Sequence, residues 1–340
     1  SKDYMKDGNK NRLREQDIRK IVDVFNNQLE IPKYSRMVYN DEIEKNEYNL
    51  NIPRYIDTQE EEDIQDINAH LKGGIPNRDI DKLNKYWETY PSLRTKLFKA
   101  HNSTGYSNLA VNINDIKTTI YENTDFKKYA ENVGKILDEW RSKFSPVLKS
   151  INKDTNTKKL INEISEDLLK VFETKTLIDK YDIYQCLMTY WLETMKDDVY
   201  MIVENGWEAN SELIPAELVV NKYFKSDKEI MEQLEIERDE MTRQREEFEE
   251  ENSGDEGFLE ELKNDKGKIT KGNVQNRIRE IRNKNEFEDE IKILNDYLAI
   301  IDKESKANKK VNNAQKELNK KVENKYKVLT ADEVKTLVVD

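Results

Sequence analysis

One cysteine, two histidines, six prolines and ten glycines are all that 340 residues offer of the types that most often build reaction centres or covalent scaffolds. The single Cys186 excludes an intrachain disulfide. Set between Gln185 and Leu187 in a segment of helical pattern, it reads as a buried, inert thiol in a reducing, cytoplasmic setting. His70 and His101 fall in neither His-x-His nor His-x-x-x-His spacing, so no metal site is predicted; a helix end and a loop account for them. The glycines form no Gly-x-Gly turn behind an apolar strand, the device that lets backbone approach a nucleotide cofactor closely. The prolines follow Ile31, Ile52, Ile75, Tyr90, Ser145 and Ile214, so no Asn-Pro, Asp-Pro or Pro-Pro pair exists. No window approaches the ~20 apolar residues that span a bilayer, and the polar start shows no signal peptide. No Ser/His/Asp or Cys/His arrangement is suggested, so no catalytic residue is assigned.

Charge and aromatic residues are what the chain does have. Charged residues make up 37% and apolar ones only 36%, with a net charge of −12, a balance that suits long solvent-exposed helices. The 17 Tyr, 9 Phe and 4 Trp supply enough buriable surface to argue against disorder throughout. The negative total excludes a protein that coats nucleic acid with its whole surface but leaves local basic patches open. Acidic pairs such as Asp197-Asp198 and the run Glu60-Glu61-Glu62 are expected by chance among 69 acidic residues and read as solvated faces.

Residues 33–57, KYSRMVYNDEIEKNEYNLNIPRYID, resemble the segment that closes the catalytic domain in methyltransferase subunits of type I restriction–modification systems. Residues 1–26 (SKDYMKDGNKNRLREQDIRKIVDVFN), 73–98 (GGIPNRDIDKLNKYWETYPSLRTKLF) and 177–207 (LIDKYDIYQCLMTYWLETMKDDVYMIVENGW) are similar to the same subunits, and 326–340 (YKVLTADEVKTLVVD) looks like the start of their last helical element. The resemblance implies a parent that transfers a methyl group from S-adenosylmethionine to the exocyclic nitrogen of adenine. It implies partners too: a specificity subunit that chooses the DNA sequence, a second methyltransferase subunit, a restriction subunit, and DNA in the full complex. The family's cofactor turn and its Asn/Asp-Pro-Pro-aromatic base-binding loop have no counterpart here, so no cofactor is assigned to this chain and it reads as a C-terminal fragment excised from a longer protein.

Patterning predicts a mainly α protein: a helical domain with minor strand elements, plus a long antiparallel coiled-coil-like hairpin. Five regions are expected, at 1–57 (the tail end of the catalytic domain), 58–151 (helical), 152–226 (helical with a short strand), 227–326 (the hairpin) and 327–340 (a truncated last element). Ile18, Ile21, Val22, Phe25 and Leu29 predict a helix over 14–29. Strands are expected at 35–39 and 49–56, flanking a brief helix from Asn40, with residues 1–57 loosely held. Ile64, Ile67 and Leu71 predict a helix that Gly73-Gly74 stops, followed by one that Asn77 caps and one that Pro91 opens. A strand at 108–111 and helices over 126–144, 158–172, 181–195 and 215–224 complete the helical regions. Residues 199–203 read as a strand, which places Asp197-Asp198 at a helix C-terminus, an unfavourable place for carboxylates.

In the hairpin, Met231, Leu234, Met241 and Phe248 take a and d positions, with Arg238 and Arg245 in the remaining a sites. A mobile connection is expected over 252–273. Residues 274–326, free of Pro and Gly, then predict one helix of roughly 75 Å, whose Phe287, Ile291, Leu294, Leu298 and Ile301 keep a 4-3-4-3 spacing before Ser305 and Asn308 interrupt it. Residues 228–251 hold 4 basic and 11 acidic side chains, whereas 303–327 hold 9 basic and 3 acidic, which favours antiparallel pairing of the arms. The apolar a and d side chains are the predicted interface with the specificity subunit, through a seam that partner helices complete. An alternative makes the basic arm a contact for the DNA backbone, through Arg277, Arg279, Arg282, Lys309, Lys310, Lys320 and Lys321.

Overall fold

A computed structural model describes residues 3–57, 65–254, 257–264 and 267–340, and the chain divides into two compact units, Ser1–Gly206 and Trp207–Asp340. Both are built mainly of helices.

The first unit opens with a hairpin of β1 (Met5–Asp7) and β2 (Lys10–Arg12), whose two-residue turn needs the positive φ of Gly8. Helix α1 (Glu15–Asn26) follows, and Asp17 in its first turn receives the Arg14 backbone N–H at 2.8 Å. Beyond it come α2 (Asn40–Lys45) and a 3-10 turn at Ile52–Arg54. The expected strands at 35–39 and 49–56 are therefore absent. An isolated bridge between Ile31 and Ser35 is all the first makes, and Pro53, which has no N–H for a ladder, sits inside the 3-10 turn that replaces the second.

Helix α3 (Ile67–Lys72) is ended by Gly73-Gly74, as the sequence suggests; Ile64 lies outside the described residues, as do Glu60, Glu61 and Glu62. Gly74, at φ +93°, lets backbone pass so close to His101 and Tyr106 that an added Cβ would stand 3.2 Å from Tyr106 Cβ. The chain then forms β3 (Ile75–Pro76), α4 (Asn77–Asp81), α5 (Asn84–Thr89), α6 (Pro91–Leu97), β4 (Phe98–Ala100) and β5 (Tyr106–Leu109). The strands make one antiparallel sheet in the order β3-β5-β4, so the strand expected at 108–111 begins two residues earlier. Pro76, not Asn77, precedes the helix that Asn77 was expected to cap. Tyr90, Leu93 and Leu97 anchor a core here with Trp87, Phe98 and Phe126.

After α7 (Ile116–Tyr121), the long α8 (Thr124–Lys149) is capped by Asn123, whose side-chain oxygen accepts the Asp125 N–H at 2.7 Å. Helix α9 (Thr157–Phe172) buries Leu160, Ile164, Leu168 and Phe172 at helical spacing. Helix α10 (Lys180–Tyr190) passes through a π turn at Trp191–Met195 directly into α11 (Lys196–Asn205). This overturns the strand expected at 199–203. Val199 and Ile202, three apart, are the buried pair, a helical and not an alternating pattern, and Gly206 at φ +77° ends the element. Asp197 and Asp198 consequently lie in the first turn of α11 and not at a helix C-terminus.

The second unit is the hairpin with its two ends built up. Helix α12 (Ala216–Tyr223) leads into α13 (Lys225–Glu251); α14 (Lys271–Ile281) precedes the 39-residue α15 (Glu288–Tyr326), and α16 (Ala331–Val339) closes the chain behind a Thr330–Glu333 capping box. The single helix expected over 274–326 is broken: a turn and a 3-10 segment at Asn285–Phe287 separate α14 from α15, whose 39 residues measure about 58 Å. Neither Pro nor Gly causes the break. The reversal lets Val274 and Ile281 of α14 join Leu294 and Tyr297 of α15 in one core, and the Arg277 guanidinium bonds Glu290 at 2.6 Å across it. The connection expected to be mobile is part of the same core, since Leu259 is fully enclosed and Leu262 is buried.

Candidate interaction surfaces

Helix α1 is amphipathic as its spacing predicts, but it is docked by its charged face. Arg19 forms a two-point ion pair with Glu166 of α9 (Nη2 to Oε2 3.0 Å) and bonds Asp23 at 2.9 Å; Tyr181 of α10 donates its hydroxyl to Asp23 at 3.1 Å. The Gln16 backbone N–H reaches Gln185 on α10 at 3.0 Å. Asp17 is 1% exposed, and its hydrogen bonds from the Arg14 guanidinium hold its carboxyl below the usual carboxylate range. Burial, then the nearby Asp23, pushes the Tyr181 hydroxyl well above its ordinary pKa, so it stays a donor. The apolar side faces outward: Ile18, Ile21 and Val22 are each 45% exposed and Phe25 is 82% exposed. Helix α1 thus uses its carboxylates in packing and leaves its apolar stripe exposed. Tyr39, Tyr48, Leu50 and Ile52 extend this exposed apolar surface along the chain. Next to it Val38, Ile43, Tyr55 and Ile56 line an open hollow of about 190 Å³ with Leu50 and Ile52.

The hairpin closes on itself. Ion pairs and hydrogen bonds tie α13 to α15 in antiparallel order: Asp227 with Lys321 (2.6 Å), Glu237 with Lys310 (2.9 Å), Thr242 with Glu304 (3.0 Å) and Glu249 with the Tyr297 hydroxyl. Met231, Leu234, Met241 and Phe248 line this seam from α13 at heptad spacing. Leu294 is sealed within it, while Phe287, Ile291, Leu298 and Ile301 are partly buried against the same core. These side chains face the seam between the chain's own two arms. Arg245 does not hold the arms apart, because its Nε lies 3.3 Å from Glu304. Tyr297, fully buried and stacked on Phe248 at 6.0 Å, belongs to the seam although the strict 4-3-4-3 pattern passes it over.

Coverage along the seam is uneven. At one end α12 packs on both arms, Ile214 and Val219 are sealed, and the Tyr326 hydroxyl donates to the Ile214 carbonyl. Glu333 of α16 accepts from Tyr223 at 3.0 Å and from Lys325 at 2.9 Å. The Thr330 N–H, Lys325 and Tyr223 together bring its carboxyl down to about 2. At the other end α14 covers α15. Between them Leu234 and Met241 of α13 stay half-buried, and Thr242, Arg245 and Glu304 form a polar layer across the arms.

The basic candidates separate into two groups. Arg277 is held by Glu290, while Lys310 and Lys321 are held by the acidic arm, so three of the seven are neutralised within the chain. Arg279, Arg282, Lys309 and Lys320 are exposed. Elsewhere, Cys186 lies exposed on α10, contrary to the buried thiol expected, because α10 turns Tyr181 and not this position into the core. Burial, then Asp197, raises the carboxyl of Asp198. His70 is in the last turn of α3, and His101 follows β4, accepting the Ser103 N–H at 3.0 Å.

A nucleoside cofactor would need a glycine turn between an apolar strand and a helix. Among the described residues none is present: Gly8 turns a hairpin of exposed strands, and Gly73-Gly74 stands before β3. Among the described residues, likewise, no helix is long and apolar enough to cross a membrane, and no three His, Cys, Asp or Glu groups cluster to hold a metal ion.

Residues 1–64, which carry α1 and the exposed apolar segment after it, match the N-6 DNA methylase family. The chain is 45% identical over 75 residues to the type I restriction enzyme MjaVII methylase subunit of Methanocaldococcus jannaschii, covering 22% of this chain and 12% of that protein. It is 29% identical over 97 residues to the MpnII methylase subunit of Mycoplasma pneumoniae, covering 28% of this chain and 16% of that protein. The chain thus spans less than a fifth of the length of either relative in these alignments. No solved structure matches. By its residues 1–64 and these two partial alignments, the chain is similar to methylase subunits of type I restriction enzymes over part of its length.

Proposed function

We propose that this chain is the assembly part of a type I methylase subunit, acting in the cytoplasm to hold an adenine-N6 methyltransferase on its specificity subunit and to help enclose DNA. It performs no methyl transfer by itself in this reading; S-adenosylmethionine binding and the chemistry belong to the remainder of the parent. A second methylase subunit and a restriction subunit would complete the complex.

The half-covered middle of the hairpin carries the proposal. An antiparallel pair of helices with a third layer at each end and none between leaves a groove on either flank, where further helices would complete a bundle. Leu234 and Met241 would gain burial there, and the polar layer of Thr242, Arg245 and Glu304 would set the register of an incoming helix. Helix α1 supports the same role from the other unit. Its charged face is used on α9 and α10, so its apolar face is free to lie against the methylase domain whose family its sequence matches.

The test is size-exclusion chromatography of the 340-residue chain with and without a cognate specificity subunit. Co-elution of the two as one species is the expected result. Separate elution at concentrations of tens of micromolar, on the order of the weakest stable contacts, contradicts the proposal.

A further inference from the structure

The outer face of α15 carries a second surface that the seam does not use. Counted at 100° per residue from Val311 in the seam, Lys306, Lys309, Lys316 and Lys320, with Lys327 at the helix C-cap, all fall within about 40° of the direction pointing away from α13. All five are exposed. The positions that continue this face between them are Asn313 and Asn324, also exposed and uncharged, while Glu317 and Glu323 flank it at about 60° from its centre, over a run of about 31 Å.

The lysines beside the stripe behave differently. Lys310 and Lys321 lean toward α13 and pair with Glu237 and Asp227, and Lys271 pairs with Asp302 just before the stripe begins. Among the described residues none of the five stripe lysines is in an ion pair. The acidic arm neutralises the basic side chains it can reach and leaves those behind α15 in excess. In a chain of net charge −12, five lysines on one straight face, with only Asp302, Glu317 and Glu323 near them along α15, are a local concentration of positive charge against the average.

We propose that this face of α15 lies along the phosphate backbone of a nucleic-acid duplex. Lysine offers a mobile point charge without a fixed fork, which suits phosphates met in any sequence, and asparagine adds neutral donors that phosphate accepts. No aromatic side chain stands in the stripe, so the contact reads backbone and not bases. Its straight length matches roughly nine base pairs at 3.4 Å each. The surface deepens the proposed role in enclosing DNA but is distinct from the flanks of the seam assigned to the specificity subunit, and the two can fail separately.

The experiment titrates the 340-residue chain against a fluorescent duplex of about 20 base pairs over a salt series, from about 50 to 200 mM. It compares the wild type with the quadruple variant Lys306→Gln, Lys309→Gln, Lys316→Gln and Lys320→Gln, and with the control pair Lys310→Gln and Lys321→Gln. Glutamine keeps helix propensity at exposed sites, and circular dichroism checks that helix content is unchanged. The quadruple variant should lose at least about tenfold in affinity at low salt, and its log–log salt slope should fall by about 3–4, near 0.9 per phosphate contact. The control pair should keep the wild-type slope. Absence of duplex binding by the wild type, an unchanged slope in the quadruple variant, or an equal loss in the control pair overturns the proposal. Loss of co-elution with the specificity subunit in the quadruple variant, with duplex binding retained, overturns it too and assigns the stripe to an acidic protein partner.

Discussion

Truncation of Leu294 to alanine examines whether α14, α15 and the connection between the arms share one core. Leu294 has no exposed surface, and Leu259, Val274 and Tyr297, also fully enclosed, belong to the same cluster. Removing its isopropyl group forfeits roughly three methylene equivalents at about 0.8 kcal/mol each, and the cavity left among side chains already in contact raises the loss to about 3–4 kcal/mol. Hydrogen exchange is the better assay, because the chain has two compact units and a single global transition is not assured. Amides in 271–281 and 288–301 should lose about 100- to 1,000-fold in protection, the kinetic image of that free energy. Amides of α9, in the other unit, should be unchanged. A loss below about fivefold in 271–281, equivalent to roughly 1 kcal/mol, would show that α14 does not share this core and would refute the break between α14 and α15.

Other outcomes follow from the same contacts. Arg19→Ala should raise exchange and proteolysis in residues 15–26 at a cost of about 1 kcal/mol, discounted because Glu166 is partly exposed; unchanged protection of α1 would mean that the ion pair does not anchor it. The carboxyl of Glu333 lies near 2 in the folded chain and is lowered from its ordinary value, so its stabilising effect is complete above about pH 4.5 and is lost as pH falls toward 2. Glu333→Gln should therefore lower the melting temperature near pH 6 but not near pH 2, and an equal deficit at both would contradict the assignment. Cys186 should react with a thiol reagent in the native chain as a free surface thiol does, whereas a need for denaturant would place it inside.

Much of the architecture was legible because it follows from period and punctuation. Gly73-Gly74 ends α3, Pro91 opens α6, the helix expected over 158–172 is α9, and the opposed charges of the two arms predict their antiparallel pairing. What escaped was decided by contacts far away in sequence. The apolar run Val-Tyr-Met-Ile-Val at 199–203 has strand propensity, yet α11 continues from α10 and buries Val199 and Ile202 on one side. The break before α15 has no local marker, since it is imposed by the packing of Ile281 and the Arg277–Glu290 pair. Periodicity identified the apolar stripe of α1 correctly but says nothing about which stripe is covered. Here Asp17, Arg19 and Asp23 find partners first and the stripe is left facing out. The basic residues were legible as a group, but which of them are neutralised depends on the reach of α13, a matter of geometry that spacing alone does not carry.

A distance across the hairpin tests the central claim directly, which is that the seam is filled by the chain's own arms and a partner meets only the outside. Spin labels replace Glu237 and Lys310 in a chain whose exposed Cys186 has been changed to serine, and the labelled protein is diluted with an excess of unlabelled chain. Helices packed at 8–10 Å between axes predict a single short distance, about 20 Å or less once label arms are included, in every labelled molecule. A distribution that is broad and long, or a short distance that vanishes on dilution, would show an open or exchanged hairpin and would contradict the account.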